Sequence, residues 1–307
     1  MTSPPRALPK IVPMLAVLVA ASLGASSGLY IKRVGFSSLA LSGFRMGVPF
    51  LFMLAVMIRG RRVLGPPAQR RALWGASGLN AVRMLLFVAA YKLTTVGNAV
   101  VLLYLWPVFA LILDSIGARR KPSLAQAGLV ALSFAGVLVM NLSRGLSLEA
   151  AGLRGSLLMI ASAALFATTS IMFKKALATV HETDALYFQN AVGALVFCPF
   201  LVAELGSAPP IDLALGLLYG FSVGLVGFGL FFFAMKRLSL FQYGALAYTE
   251  VLIAVLLGAL VFGERLGASQ LVGALMVVAA SFLSQRARSA PGPRAEPAPG
   301  PGPGAES

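Results

Sequence analysis

Three ionisable residues stand near the centres of long apolar segments in this 307-residue chain: Arg45, Arg83 and Glu250. On membrane-insertion scales a charged side chain at mid-helix costs about 2.5–3.5 kcal/mol, so each residue requires a partner, a wet cavity or a ligand. Because charges at such depth are typical of substrate and ion pathways, these residues are the first candidates for chemistry.

Arg83 belongs to a row of residues spaced three and four apart, which places them on one face of a helix. The row contains Asn80, Arg83, Phe87 and Tyr91. Lipid would leave Asn80 and Arg83 without hydrogen-bond partners, so this face must look into protein or a water-filled cavity. Two interpretations remain open, and they are compatible if a substrate competes with Glu250 for Arg83. Asn80 and Arg83 bind the polar head of a substrate, or Arg83 pairs with Glu250 and locks two helices together.

Glu250 is the acidic residue that lies deep in an apolar segment, two positions after Tyr248. Burial favours the protonated carboxyl group, whereas a nearby arginine favours the carboxylate. If burial dominates, Glu250 could bind and release a proton during a transport cycle. For Arg45 a structural role is favoured, in which this intramembrane charge holds the second helix against the bundle.

An aromatic pair flanks a proline within the apolar segment from Leu102 to Leu113. Pro107 removes a helix hydrogen bond and disturbs the preceding turn, so a helix break is expected there. Unwound backbone beside a cavity is a feature of transporter sites, although Pro107 could also merely kink a buried helix. The resulting candidate substrate-binding residues are Asn80, Arg83, Tyr104, Trp106, Tyr248 and Glu250.

The composition predicts an all-α integral membrane protein. Hydrophobic residues make up 58% of the chain and charged residues 11%, against about 25% charged in soluble domains. Ten apolar segments are each about long enough to cross some 30 Å of hydrocarbon. The predicted spans are Val12–Ile31, Ser38–Ile58, Ala72–Ala90, Thr95–Leu113, Leu124–Met140, Gly155–Phe173, Ala185–Ala203, Leu213–Met235, Leu240–Phe262 and Leu266–Leu283.

The net charge of +15 is explained by short basic loops that orient the chain in a bilayer rather than by nucleic-acid binding. Lysine and arginine accumulate on one side when the N-terminus is placed in the cytoplasm, so both termini are expected to be cytoplasmic and the protein to lie in the inner membrane. Residues 286–307 are rich in proline and glycine, which predicts a disordered cytoplasmic tail.

Enzyme chemistry finds little support in the sequence. Cys198 is the single cysteine and lies in an apolar run, so a disulfide is excluded. His181 stands beside Glu182 and Asp184, and one such cluster without further ligands is interpreted as solvated surface rather than a metal site. No nucleophile–histidine–acid set or phosphate-binding loop is present, and no cofactor is predicted.

A weak internal repeat suggests the architecture. At a constant offset of 144 residues the chain matches itself at aromatic, basic and amide positions: Phe87 and Phe231, Lys92 and Lys236, Tyr104 and Tyr248, and Gln126 and Gln270. The two repeats are assigned to residues 12–140 and 155–285, with five spans each. An odd number of spans inverts the second repeat, as in secondary transporters. The segments around Tyr104 and Glu250 are then expected to form opposite walls of a substrate path.

The chain resembles the drug/metabolite transporter superfamily in its bacterial ten-helix form, built from two EamA-type repeats. The resemblance covers residues 12–285 and rests on Glu250 in the penultimate helix, the FGERL stretch Phe262–Leu266, Pro107–Val108 and Arg45 in the second helix. Two positions depart from the pattern. Val251 replaces a common proline, and Arg119–Arg120 replace a glycine–glutamate pair.

The resemblance implies a secondary transporter of small metabolites that works by alternating access in the lipid bilayer. The aromatic residues near the midplane favour amino-acid export, including aromatic or hydrophobic amino acids. Two alternatives stay open: a multidrug or other metabolite exporter of the same fold, and a passive channel or non-transporting membrane protein. A homodimer through small residues of the tenth helix also stays open, for which the candidates are Gly267, Gly273 and Ala274.

Overall fold

The computed structural model describes residues 9, 11–60, 67–117, 123–142, 151–238, 243, 246–247, 249–264 and 267–289, and within these ranges the chain is helical without a β-strand. A π-helical segment, Gly220–Gly227, joins α10 to α11. The α-helices are α1 (Ile11–Ala25), α2 (Ser27–Arg33), α3 (Ser38–Gly60), α4 (Pro67–Leu93), α5 (Val96–Leu103), α6 (Trp106–Gly117), α7 (Leu124–Leu142), α8 (Ala151–Ala176), α9 (Glu182–Leu205), α10 (Pro210–Tyr219), α11 (Phe228–Arg237), α12 (Thr249–Phe262) and α13 (Ala268–Ser289).

Within the described ranges, seven helical stretches are long and apolar enough to cross a membrane, which confirms an all-helical membrane fold. Three shorter apolar helices lie within the fifth, ninth and tenth predicted spans: Ala127–Gly136, Thr249–Phe262 and Ala268–Ala280. Ten spans therefore remain a prediction. The seven stretches are Ile11–Arg33, Ser38–Gly60, Arg70–Leu93, Val96–Gly117, Gly152–Ala176, Glu182–Leu205 and Pro210–Arg237.

The fourth span is interrupted at Tyr104 and Leu105, between α5 and α6. Pro107 is the second residue of α6, and in the first turn of a helix the missing N–H of proline leaves no hydrogen bond unmade. The break therefore lies just before Pro107. The first span is also interrupted, at Ser26 between α1 and α2, where the Ser26 hydroxyl donates to the carbonyl oxygen of Leu23 at 2.7 Å.

The π-helical segment packs against the second span through glycines. A Cβ atom at Gly220 would lie 2.3 Å from the carbonyl oxygen of Phe44, and one at Gly224 would lie 2.7 Å from that of Arg45. Real Cβ atoms do not approach an oxygen so closely, so only glycine lets these two helices meet backbone to backbone. The close approach fixes the position of α3 beside the cavity described below.

The halves of the chain, up to residue 142 and from residue 151, are interleaved. Helix α3 packs along α9, α4 along α8, and α7 along α13, so each of these pairs joins the first half to the second. The buried apolar residues accordingly draw on both halves. Neither half forms a core of its own.

Some contacts occur twice in equivalent positions. The Lys92 ammonium donates to the carbonyl oxygen of Phe36, and the Lys236 ammonium donates to that of Val180 at 3.2 Å. The two lysines are 144 residues apart, and so are the two acceptors. The repeat offset read from the sequence therefore also relates pairs of residues in space.

The predicted tail begins too early. Helix α13 continues to Ser289, so residues 286–289 of the predicted tail are helical. Alanine and arginine, both good helix formers, extend the helix there before the first proline at Pro291. Residues 290–307 lie outside the described residues.

Candidate functional site

A cavity of about 700 Å³, its mouth included, opens between the two halves. It is lined by α1, α2, α3, α4, the interrupted fourth span, α8, the π-helical segment, α11 and the segment that leads into α12. Two kinds of residue dominate its surface: three buried or partly buried ionisable groups and a set of aromatic rings. The helix interruptions at Ser26 and at Tyr104–Leu105 lie at or next to residues that line the cavity. The two breaks in helical backbone are therefore located at the cavity wall.

Both arginines of the cavity are buried, Arg45 with 3% and Arg83 with 4% of its surface exposed. The Arg83 guanidinium donates from Nε to Asn80 Oδ1 at 2.9 Å, and its Cζ lies 5.1 Å from the centre of the Phe166 ring. The Arg45 Cζ lies 4.4 Å from the centre of the Phe228 ring. Rings at these distances stabilise a cation through their negative faces, which partly offsets the loss of hydration.

Asn80 lies behind Arg83 rather than in the cavity wall. Its Oδ1 accepts from Arg83, and its Nδ2 donates to the carbonyl oxygen of Gln189 on α9 at 2.8 Å. Both ends of the amide are therefore satisfied by protein. Asn80 orients the Arg83 side chain and ties α4 to the second half, so the structure places it as a positioning residue and not as a residue that meets a ligand.

Glu250 faces the interrupted fourth span. The Tyr104 hydroxyl lies 3.0 Å from Glu250 Oε2 and also contacts the carbonyl oxygen of Ala247. A Cβ atom at Gly24 would lie 2.7 Å from Glu250 Oε1, so the absence of a side chain at Gly24 makes room for the carboxyl group. The segments around Tyr104 and Glu250 both line the cavity and touch each other there, and their placement as opposite walls of a substrate path stays a prediction.

Arg83 and Glu250 form no ion pair in the described part of the chain. The structure therefore does not show the Arg83–Glu250 ion pair of the interpretation in which this pair locks two helices together. Arg83 is held by Asn80 and Glu250 by Tyr104, and both remain available to the cavity.

Aromatic rings form the apolar part of the wall. Trp106 packs edge-on against Phe166 with ring centres 5.6 Å apart, and Phe231 packs edge-on against Tyr243 at 5.2 Å. Phe87 lies 144 residues before Phe231, and both line the cavity. Within the run Phe228–Phe233, the three-residue spacing of Phe228 and Phe231 turns both towards the cavity.

The structure thus brings four predicted site residues together around one cavity: Arg83, Tyr104, Trp106 and Glu250. Arg45, expected to be structural, also lines it. Tyr248 lies outside the described residues. Tyr243 was missed as a site residue, although its spacing of seven from Glu250 would have indicated a shared helix face.

At one end of the bundle, here called the Lys32 end, carboxylates of the second half contact the first half. Glu264 accepts from the backbone N–H groups of Val96 and Gly97 at 2.9 and 3.2 Å, at the start of α5, and pairs with Lys32 at 3.4 Å. A carboxylate at a helix N-terminus satisfies donors that lack intrahelical partners. The contact joins three separate spans.

Two further carboxylates repeat this arrangement at the Lys32 end. Asp212 accepts from the backbone N–H of Gly35 at 2.9 Å, and Glu204 accepts from that of Ser37 at 2.9 Å. In all three cases the acid belongs to the second half and the amide donor to the first. The Lys32 end is therefore linked across the boundary between the halves.

Among the described residues, no group of three or more histidine, cysteine, aspartate or glutamate side chains lies close enough to hold a metal ion.

Apolar helices that enclose a cavity with buried charges define a class of protein, the polytopic membrane transporters. Family comparison makes the assignment specific. The profile of the EamA-like transporter family matches the chain twice, over residues 11–142 and 153–285, so the chain belongs to this family. The resemblance inferred from the sequence is thereby confirmed.

Curated relatives are transporters by name. An uncharacterized transporter of Archaeoglobus fulgidus is 26% identical over 275 residues, which cover 88% of this chain and 95% of that protein. The uncharacterized transporter YcxC of Bacillus subtilis is 25% identical over 183 residues, or 56% of this chain and 59% of YcxC. Solute carrier family 35 member G1 of Mus musculus is 25% identical over 248 residues, covering 76% of this chain and 67% of that protein.

A solved crystal structure shares the fold. It superposes with a TM-score of 0.60 at 18% identity, over 90% of this chain and 99% of that one. At this identity the likeness concerns the fold alone.

Proposed function

We propose that this protein is a secondary transporter that moves a small metabolite across the membrane by alternating access, and that the cavity between the halves is its substrate site. The observation that carries the proposal is the presence of a buried basic group, Arg83, and a partly buried acidic group, Glu250, in one cavity lined by both halves without an ion pair between them. Groups of this kind are costly in a membrane unless a ligand uses them.

We infer further that the chain consists of ten spans arranged as two inverted five-span repeats. The equivalent lysine contacts support this arrangement. A second equivalence points the same way: Asn80 reaches the carbonyl oxygen of Gln189, and Gly224 packs closely on that of Arg45. Asn80 and Gly224 are 144 residues apart, and so are Arg45 and Gln189. Rocking of one repeat against the other would then expose the cavity to each side in turn.

The substrate we propose is an amino acid, with aromatic or hydrophobic side chains favoured. Opposite charges on Arg83 and Glu250 suit the carboxylate and the ammonium group of a zwitterion. The rings of Phe87, Trp106 and Phe231 offer an apolar surface to its side chain. A cavity with a few placed polar groups and an aromatic lining is a common design for small-molecule sites.

The distribution of lysine and arginine supports an inner-membrane location with both termini cytoplasmic. The Lys32 end then faces away from the cytoplasm, and the carboxylate contacts of Glu264, Asp212 and Glu204 hold the outer side closed. This arrangement corresponds to one of the two states of an alternating-access cycle. Export would begin from a cavity reached from the cytoplasm.

Counterflow in proteoliposomes tests the proposal. Vesicles preloaded with an unlabelled amino acid should transiently accumulate the same labelled amino acid against its gradient, and the initial rate should saturate. Protein-free vesicles provide the baseline. A non-saturating flux without counterflow would identify a passive channel and contradict the proposal, and counterflow of unrelated hydrophobic cations in place of amino acids would favour a multidrug exporter.

A further inference from the structure

Arg45 is the unexpected member of the cavity. It lies on α3, while Arg83 lies on α4, and both arginines line the same cavity. In the described part of the chain neither arginine forms an ion pair, and both are more than nine-tenths buried. Two like charges thus share one cavity without an anion between them.

Among the described residues of the cavity, one acidic side chain stands against the two arginines. This side chain is Glu250, and its carboxyl group is held by Tyr104 over Gly24. The described wall therefore carries two guanidinium groups against one carboxyl group. A ligand with a carboxylate lowers the net charge of this wall, whereas a ligand that is only an amine raises it.

A third polar group lies beside the arginines. The Tyr219 side chain is fully buried at the end of α10, next to Arg45, and its hydroxyl makes no hydrogen bond of standard geometry. Tyr219 is not among the residues that line the cavity, so its hydroxyl group positions the Arg45 guanidinium from behind the wall rather than meeting a ligand. Arg45, Arg83 and Tyr219 come from three different spans.

The Arg45 side chain is held in place from behind. A Cβ atom at Gly224 would lie 3.1 Å from Arg45 Nη1, so the glycine leaves room for the guanidinium. The Phe228 ring covers its Cζ at 4.4 Å. A planar guanidinium fixed in this way can bind a carboxylate through two parallel hydrogen bonds.

We propose that Arg45 and Arg83 form a carboxylate-binding subsite, and that the transported molecule is a small organic carboxylate whose apolar body lies against the aromatic wall. Arg45 is then a substrate-binding residue rather than a structural charge. This inference rests on the proposed function but is narrower, because it specifies the charge of the ligand and the residues that bind it.

Trp106 provides a direct probe of the cavity. The chain contains two tryptophans, and Trp74 is 41% exposed outside the cavity, so the Trp74→Phe variant leaves Trp106 as the single reporter. Its fluorescence, excited at about 295 nm where phenyl groups do not absorb, is titrated with four probes. These are phenylalanine, 3-phenylpropionate, 2-phenylethylamine and inorganic phosphate.

Saturable changes in Trp106 fluorescence are expected with phenylalanine and with 3-phenylpropionate. The amine 2-phenylethylamine should bind at least about tenfold more weakly than 3-phenylpropionate, because it lacks the carboxylate and so loses at least one charge-assisted hydrogen bond. Equal or tighter binding of the amine would overturn the proposal, and so would the absence of a saturable response to both carboxylates. Displacement of 3-phenylpropionate by phosphate at lower concentration would identify a phosphate subsite instead.

Substitutions then assign the residues. In the Trp74→Phe background, Arg45→Gln and Arg83→Gln should each weaken 3-phenylpropionate binding by about 10- to 100-fold. Arg71→Gln is the matched control, because Arg71 is an exposed arginine near the other end of α4 and binding should not change. Thermal unfolding establishes that each variant is folded.

Lysine variants separate binding from folding. If Arg45→Gln does not fold, Arg45→Lys keeps the charge but loses the two-pronged geometry, and it should still weaken 3-phenylpropionate binding several-fold. A folded Arg45 variant that binds 3-phenylpropionate as tightly as its parent would show that Arg45 is structural. Counterflow of a solute without a carboxylate would leave the transporter assignment intact and contradict only the carboxylate subsite.

Discussion

The Tyr104 hydroxyl bridges the carbonyl oxygen of Ala247 and the carboxyl group of Glu250, 3.0 Å from Oε2. A phenolic hydroxyl has one hydrogen. When that hydrogen is donated to Ala247, Glu250 must itself donate to Tyr104, which requires a protonated carboxyl group. The bridge therefore links the proton on Glu250 to a contact between the two halves of the chain.

Removal of the Tyr104 hydroxyl should impair transport without unfolding the protein. Tyr104→Phe leaves the Ala247 carbonyl oxygen and Glu250 without this buried partner, which costs about 1–3 kcal/mol. We expect the counterflow rate to fall by roughly tenfold or more. Tyr187→Phe is the control, because the Tyr187 ring packs against Phe50 and Phe188 outside the cavity. Equal rates for the two variants would contradict a role for the bridge.

Glu250→Gln should separate binding from energy coupling. The glutamine amide can donate to Tyr104 as a protonated carboxyl group does, but it cannot release a proton. We expect counterflow at uniform pH to persist at a reduced rate, because a neutral amide binds an ammonium group more weakly than a carboxylate does, while accumulation driven by an imposed pH gradient is lost altogether. Accumulation by Glu250→Gln that still responds to the gradient would show that protons do not couple through this residue.

The Glu264 contact should control access from the Lys32 end. Glu264→Ala removes the acceptor for the backbone N–H groups of Val96 and Gly97, together with the Lys32 ion pair. In a Cys198→Ala background, a cysteine placed at the cavity position Ser27 should react several-fold faster with an impermeant maleimide applied from that side. Lys32→Gln should produce a smaller increase, because it leaves both hydrogen bonds in place.

A second acid tests the location of this effect. Glu182 pairs with Arg237 at 2.6 Å at the opposite end of the bundle. Glu182→Ala should leave the labelling rate from the Lys32 end unchanged. An equal increase with Glu182→Ala and Glu264→Ala would mean that general loosening, rather than opening of one end, had been measured.

A pair of glycine substitutions tests the close helix approach. Gly220→Ala would place a Cβ atom 2.3 Å from the carbonyl oxygen of Phe44, so backbone must move, and a loss of about 1–3 kcal/mol or more is expected. Gly78→Ala meets nothing within 4 Å and should gain up to about 1 kcal/mol from helix propensity. The midpoints of thermal unfolding in detergent should therefore shift in opposite directions. If both substitutions moved the midpoint of unfolding in the same direction, the close packing of the π-helical segment against α3 would be contradicted.

Periodicity and polarity predicted much of the fold and part of the site. Apolar segments of sufficient length located the spans, because hydrocarbon thickness sets a minimum helix length. The three- and four-residue spacing from Asn80 to Tyr91 identified an inward face, because a polar group cannot be left facing lipid. The constant offset of 144 residues predicted a repeat, and the equivalent contacts of Lys92 and Lys236 follow it.

What the sequence could not indicate depends on the partners that tertiary structure supplies. Arg45 stands alone in an apolar segment, so nothing nearby in sequence shows that it lines the same cavity as Arg83. Asn80 was expected to meet a ligand, because its partner, the carbonyl oxygen of Gln189, lies 109 residues away. The π-helical segment was missed for a related reason, since its glycines are explained only by the backbone of α3 against which they pack.

The central claim is that the cavity between the halves is the substrate site, and matched alanine variants test it most directly. Counterflow of phenylalanine in proteoliposomes is compared for Arg83→Ala against Arg71→Ala, and for Trp106→Ala against Trp74→Ala. Each pair removes the same side chain inside and outside the cavity. Both cavity variants, once a thermal unfolding transition has shown that they are folded, are predicted to lose at least about 90% of the initial rate. Such a loss corresponds to some 1.4 kcal/mol or more of lost interaction free energy with the substrate. Both controls should transport at nearly the parent rate. Full counterflow by folded Arg83→Ala and Trp106→Ala would contradict it.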